Sequence, residues 1–363
     1  MIMMIFVLFF VKVTWDSRDK DKSSDVKSYI FQPHNSLNFL KMNLTISHEE
    51  ARKFSNHRYL INQRQKCTSE DVLLLLFVKS SPENFKRRRA IRSTWGNEAY
   101  IQKNFNVTVK VLFALGMKPQ PLDRRKLQHM LFKEDLIHRD LIQQDFFDTF
   151  HNLTTKFLLQ LTWTHTYCNH AHFIMSADDD IFIHTPNLIR YLQEINQADV
   201  KDFWVGNVNR GAPPNRNKDS KYYVSYEMYP WSLYPDYTFG AGYVFSRDVA
   251  SKVYHASLTL NASLYIDDVF MGICASAMGI SPQQHVFFSG DGKAPNDACI
   301  YKQMITSHGH VEDIHELWKF ATDPELRRFS TGFFGRLYCT MVKIRHLCTV
   351  SNTFTYPCEA AFL

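Results

Sequence analysis

The chain has 363 residues, 45% hydrophobic and 14% aromatic, enough apolar material for one large folded domain or two ordinary ones. Forty-two basic residues oppose 36 acidic ones, and apart from Lys86-Arg87-Arg88-Arg89 and Arg92 the positive charges are scattered. That pattern excludes the long basic stripe of a nucleic-acid binder and suits a small anionic ligand. There is no internal repeat and no low-complexity tract.

Met1 to Val11 is continuously apolar. A spanning helix needs about 20 such residues, so residues 1–15 read as a signal anchor or truncated membrane segment, a signal-peptide core, or the non-functional end of an incomplete gene model. Residues 16–66 are polar and aperiodic, the pattern of a stem or linker. A catalytic region is expected over 67–320, and a cysteine-containing extension over 321–363. Sequons at Asn43, Asn106, Asn152 and Asn261 are candidate N-glycosylation sites and favour the secretory pathway. The seven cysteines show no C-x-x-C zinc spacing, so disulfides are expected, and the odd number leaves at least one free or paired with another chain.

Within the catalytic region, the unbroken apolar run Val72–Val78 predicts a strand covered on both faces. Arg88 to Gly96 predicts a helix, Val109–Gly116 a second strand, Leu127–Leu131 a helix and Leu141-Ile142 a short strand. Leu153, Phe157, Leu158 and Leu161 recur at helical spacing. Ala171–Ala177 predicts a buried strand delivering Asp178-Asp179-Asp180. Thr185-Pro186 reads as a helix cap followed by an N1 proline. Strands alternating with helices predict an α/β fold with a mostly parallel sheet.

Further on, Trp204–Gly206 reads as a strand. Seven tyrosines and tryptophans crowd Tyr222–Tyr237, either a carbohydrate-stacking surface or packed core. Gly240-Ala241-Gly242-Tyr243-Val244-Phe245 allows close backbone approach to a ligand. Asp267-Asp268 opens another predicted helix, where one carboxylate is either a cap or a functional acid.

The three clustered aspartates repel unless a cation, hydrogen bonds or water offsets them, and carboxylate oxygens suit hard divalent ions that accompany phosphates. An isolated D-x-D is as readily a solvated turn, but here apolar strands flank it on both sides. Residue types alone also fit a metal phosphohydrolase or a secreted, non-catalytic carbohydrate-binding protein.

Five separated segments narrow this. They are Arg87-Arg88-x-Ala90-Ile91-Arg92-x-Thr94-Trp95-Gly96; Asp145-Phe146-x-Asp148-x-x-x-Asn152-Leu153-Thr154-x-Lys156; Asp178-Asp179-Asp180; Tyr234-Pro235-x-Tyr237 with Gly240-x-Gly242-Tyr243-Val244; and Asp268-Val269-x-x-Gly272. In this order, over about residues 67–320, the chain resembles the beta-1,3-glycosyltransferases of the galactosyltransferase family (glycosyltransferase family 31). Val72–Lys79, Tyr222–Tyr226, Tyr265–Gly272, His285–Gly290 and Thr306–His310 resemble in particular members that move N-acetylglucosamine onto lactosylceramide.

The resemblance implies a GT-A-type fold, a UDP-GlcNAc donor, a lactosylceramide glycolipid acceptor, and Mn²⁺ or Mg²⁺ as cofactor; UDP-galactose is the alternative donor. It implies Asp268 as general base, Asp180 and His308 as metal ligands (His310 the alternative), and Arg88, Arg92, Lys156, Asp178 and Asp179 on the donor side, structural pairing being the other reading of Lys156. Trp231, Tyr237, Gly240, Gly242 and Asp267 are acceptor-side candidates. It also implies a single-pass type II Golgi membrane protein with a luminal catalytic domain, although the chain opens on apolar residues where the family has a basic tail and a full span. Asn152, inside a family motif at a predicted helix start, reads as a buried cap in preference to a glycan site.

Overall fold

The computed structural model describes residues 47, 57–68, 71–120, 124–290, 292–325 and 332–348. Its central sheet contains β1 (Tyr59–Ile61), β2 (Val72–Lys79), β3 (Thr108–Met117), β4 (Leu141–Phe147), β5 (Phe173–Asp178), β7 (Trp204–Gly206), β10 (Gly242–Ser246) and β11 (Gln283–Gln284). The spatial order is β1-β4-β3-β2-β5-β10-β7-β11. β2 pairs parallel with β3 and β5, β3 parallel with β4, and β7 parallel with β11, while β1 and β10 run against their neighbours. The sheet is therefore mostly parallel, as the alternating pattern predicts. β2 lies at its centre with every residue buried, which is why its sequence is apolar without alternation.

The flanking helices are α1 (Phe85–Ser93), α2 (Glu98–Phe105), α3 (Arg124–His138), α4 (Leu153–Tyr167), α5 (Thr185–Gln197), α6 (Arg247–Ser257) and α7 (Asp267–Ala277). Beyond them lie α8 (Ala298–Tyr301), α9 (Ile314–Thr322) and α10 (Phe333–Leu347). Two small ladders complete the fold: β6 (Ile181–Ile183) with β12 (Thr306–His308), and β8 (Val208–Asn209) with β9 (Tyr237–Thr238).

Several expectations are revised. The end of the supposed linker is part of the sheet, since β1 pairs with β4. The α5 cap is His184, whose Nδ1 accepts from the Asn187 amide; Thr185 is already helical and donates its hydroxyl to the Trp95 carbonyl. The Golgi-membrane placement is also corrected. Among the described residues no helix is long and apolar enough to cross a membrane, and residues 1–15, which carried that expectation, lie outside them.

Cysteine pairing is non-local. Cys67 bonds Cys168 across 101 residues, and Cys299 bonds Cys339, fastening α10 to α8. Cys348 is also disulfide-bonded, whereas Cys274 is buried and free, in keeping with the odd total.

Candidate active site

β5 delivers the acidic turn to the carboxyl edge of the sheet, where ligand crevices of open α/β folds form. β6 follows at once, and β12 pairs against it so that His308 stands opposite Ile181, the residue after Asp180. The result is a cluster: ligand atoms of Asp178, Asp180 and His308 lie within 4.8 Å of one another. His308 Nε2 is 3.5 Å from Asp180 Oδ1, and that hydrogen bond, with the nearby Arg87 charge, holds the Asp180 carboxyl below its ordinary pKa. His310 does not compete for this place. It is fully buried, with Nε2 against the Tyr301 and Ser307 hydroxyls and Nδ1 against Asp313.

Asp178, Asp180 and His308 offer two carboxylates and an imidazole, a donor set that fits Mn²⁺ and also accommodates Mg²⁺. Asp179 is spent elsewhere. Its oxygens accept from Ser80 Oγ (2.6 Å), Asn84 Nδ2 (2.8 Å) and Arg87 Nη1 (2.7 Å), so this residue, expected on the donor side, ties the β2–α1 loop to the acidic turn.

The second acidic pair stands at the start of α7. Asp268 accepts from the Gly240 amide (3.1 Å) and the Val269 amide (2.8 Å). A Cβ on Gly240 would lie 3.2 Å from Asp268 Oδ2, a tight contact that would press on the carboxylate. Burial first, and repulsion from Asp267 second, push the Asp268 carboxyl up to about 7. Asp178 is likewise pushed up to about 6 by burial, a rise opposed by Lys79 and tempered by the 36% exposure of its side chain.

Lys79, at the end of the central strand, connects the two acidic groups. Its Nζ lies 3.1 Å from Asp178 Oδ1 and 2.7 Å from Asp267 Oδ2, and it donates to the Gly240 carbonyl. Burial opposes its charge, yet these two carboxylates hold its pKa well above the ordinary value.

Asp178, Lys79, Asp267, Asp268 and His308 all line one cleft of about 410 Å³. Aromatic side chains line the same cleft: Phe150, Tyr222, Tyr234, Tyr237 and Phe239. The aromatic run thus divides. Tyr222, Tyr234 and Tyr237 face the cleft, whereas Tyr229 is core and Tyr226 is exposed beneath the Arg216 guanidinium. Trp231 does not line the cleft; it packs on Tyr229. Gly242 is also absent from it, and the close contact a Cβ there would make with Ile181, 2.6 Å, shows a packing constraint.

Arg88 and Arg92, expected on the donor side, are engaged in structural pairing. Arg88 is fully buried, with its donors on Glu134, Ser80 Oγ and the Ser81 and Pro82 carbonyls. Arg92 is bidentate on Asp140 and also meets Glu134. Neither has donors directed to phosphate, whereas Arg87, 30% exposed, reaches both Asp179 and Asp180. Lys156 is buried on Asp148 and the Ser80 carbonyl, the structural pairing. Lys79 escaped the sequence reading because it is one charged residue at the end of an apolar strand, and Arg87 because it lies in the basic run Lys86-Arg87-Arg88-Arg89, where nothing local separates it from Arg88.

Of the sequons, Asn106 is exposed at the α2 C-cap with φ 53°, and Asn261 accepts from the Ser263 amide. Asn152 stands at the α4 N-cap position, but its side chain donates to the Phe147 carbonyl and caps nothing. Asn43 lies outside the described residues.

The family profile described as galactosyltransferase matches residues 86–286. A Danio rerio protein, lactosylceramide 1,3-N-acetyl-beta-D-glucosaminyltransferase B, is 59% identical over 96% of this chain and 91% of its own length. The Homo sapiens lactosylceramide 1,3-N-acetyl-beta-D-glucosaminyltransferase is 57% identical over 96% of this chain and 92% of its own. Among solved structures, the apo WbbM bifunctional glycosyltransferase matches with a TM-score of 0.36 at 10% identity, over 72% of this chain and 52% of that one. Mouse xyloside xylosyltransferase 1, apo form, gives 0.31 at 10% identity, over 67% and 96% respectively. On the family match and on identities far above chance over nearly the full length, this chain belongs to the galactosyltransferase family.

Proposed function

We propose that the protein transfers N-acetylglucosamine from UDP-N-acetylglucosamine to the 3-hydroxyl of the terminal galactose of lactosylceramide, inverting the anomeric centre. The shared name of relatives 55–59% identical supports this donor and acceptor. The observation that carries the chemistry is a single cleft lined both by Asp178 and His308, which with Asp180 form a cation-type cluster, and by a high-pKa carboxylate, Asp268.

Asp178, Asp180 and His308 would hold the divalent ion, which when bound supplies Lewis-acid charge to a departing phosphate. Arg87 adds a cation beside that cluster for the UDP phosphates. The acceptor rests on the aromatic side chains with its hydroxyl toward Asp268. As the acceptor oxygen bonds the anomeric carbon, the bond from that carbon to UDP breaks and its electron pair leaves with UDP. The hydroxyl proton passes to Asp268, whose elevated pKa makes it a stronger base than an exposed aspartate. Inversion needs one base on the face away from the leaving group and no protein nucleophile.

The test is transfer from labelled UDP-N-acetylglucosamine and UDP-galactose to lactosylceramide. Product carrying N-acetylglucosamine in beta-1,3 linkage is expected. Transfer of galactose alone would refute the donor assignment, and hydrolysis without transfer would favour a phosphohydrolase.

A further inference from the structure

α10 carries two opposed faces. Gly335, Cys339, Lys343 and Leu347, spaced by four, are buried, and the disulfide from Cys339 to Cys299 pins that side to α8. On the other side Phe334 (81% exposed), Leu337 (55%), Met341 (64%) and Ile344 (38%) form a stripe at i, i+3, i+7 and i+10, with Phe333 (70%) at its start. Large apolar side chains on a pinned helix, presented outward in a row, mark an interaction surface.

The charge around the stripe selects the occupant. Residues 332–348 contain Arg336, Lys343, Arg345 and His346 and no carboxylate. Lys343 lies on the buried side, donating to Gln303, so Arg336, Arg345 and His346 are the cations left toward solvent on this helix. Two copies of this helix facing each other would bring cations together with no acid to pair them. An anionic bilayer satisfies both demands: the phenylalanines, leucine and methionine enter the acyl boundary while the arginines meet the headgroups. We propose that the exposed face of α10 docks on the surface of an anionic lipid bilayer. The inference stands on this helix alone and is independent of the acceptor assigned above.

Hydrogen exchange on the full chain tests it, because the readout is confined to residues 333–347 and ignores binding through any other segment. The probes are vesicles of phosphatidylcholine with and without phosphatidylserine. With accessible lipid at ten times its dissociation constant, exchange from the free state slows about tenfold. That slowing is expected with phosphatidylserine, weaker with phosphatidylcholine alone, and abolished in the double variant Leu337→Ser/Met341→Ser. Should the serine variant lose its helix, seen as fast exchange before lipid is added, Arg345→Glu carries the test: it keeps the stripe and is expected to lower the protection. Unchanged exchange at saturating anionic vesicles would overturn the proposal. So would protection that grows with protein concentration in the absence of lipid, which would assign the face to a second copy.

Discussion

One buried ammonium joins the two acidic halves of the site: Lys79 Nζ lies 3.1 Å from Asp178 Oδ1 and 2.7 Å from Asp267 Oδ2. The first carboxylate ends strand β5 and the second begins helix α7, so Lys79 fixes the candidate cation cluster relative to the candidate base. Removing one partner of a buried ion pair costs about 3–5 kcal/mol because the other charges stay buried without compensation. Lys79→Met should therefore lower the thermal midpoint clearly and reduce turnover in the fraction that remains folded. A variant as stable as wild type would show that water already screens these carboxylates.

Arg87 and Arg88 are adjacent but should behave oppositely. Arg88→Ala removes a fully buried guanidinium, leaves Glu134 with Arg92 alone, and is expected to destabilise by about 3–5 kcal/mol. Arg87→Ala removes a partly exposed guanidinium beside Asp179 and Asp180 and should weaken UDP binding with only a modest change in stability. Calorimetric UDP titration paired with thermal unfolding of both variants checks the assignment. Equal UDP affinity in Arg87→Ala and wild type would remove Arg87 from the donor site.

Metal dependence should follow Asp180. The carboxyl is held ionised by His308 and Arg87, which suits a ligand, and Asp180→Asn removes one negative charge from a three-residue donor set. Activity is expected to vanish on metal stripping with EDTA and return with Mn²⁺, and Asp180→Asn should need a much higher Mn²⁺ concentration. Full turnover by the stripped protein would count against the cluster.

The pH profile carries a sign. A general base works only when ionised, and Asp268 is pushed up to about 7. The rate at low substrate should therefore climb as pH rises through about 7 and level off above it. The same shift means the folded state binds the extra proton between the ordinary aspartate range and about 7, so this group's contribution to stability falls as pH rises across that window. A flat rate between pH 5.5 and 8.5 would contradict the assignment.

How legible all this was in the sequence depends on range. β2 could be read directly because a strand buried on both faces must be apolar at every position. The acidic turn was equally plain, since three adjacent carboxylates between apolar strands have few innocent explanations. Arg87 and Arg88 could not be separated, because neighbours on a helix point about 100° apart and the phase is set by what packs against it, here Glu134. The choice of His308 over His310 rests on the pairing of β12 with β6, more than a hundred residues away in the chain. Lys79 looked like the polar end of a strand; its role is visible only once Asp178 and Asp267 converge on it. Trp231 and Gly242 misled for the converse reason: their residue types suit a sugar surface, but packing uses them elsewhere.

The most direct test of the central claim is single-turnover transfer by Asp268→Asn, measured with UDP affinity and thermal stability on the same preparation. Asparagine keeps the size and can still accept from the Gly240 or Val269 amide, but it cannot take the acceptor proton. General-base catalysis contributes about 10²–10⁴-fold, so the transfer rate should fall by that order while UDP affinity and folding are retained. A folded Asp268→Asn protein that transfers sugar at a near-normal rate would contradict the account and pass the role of base to Asp267.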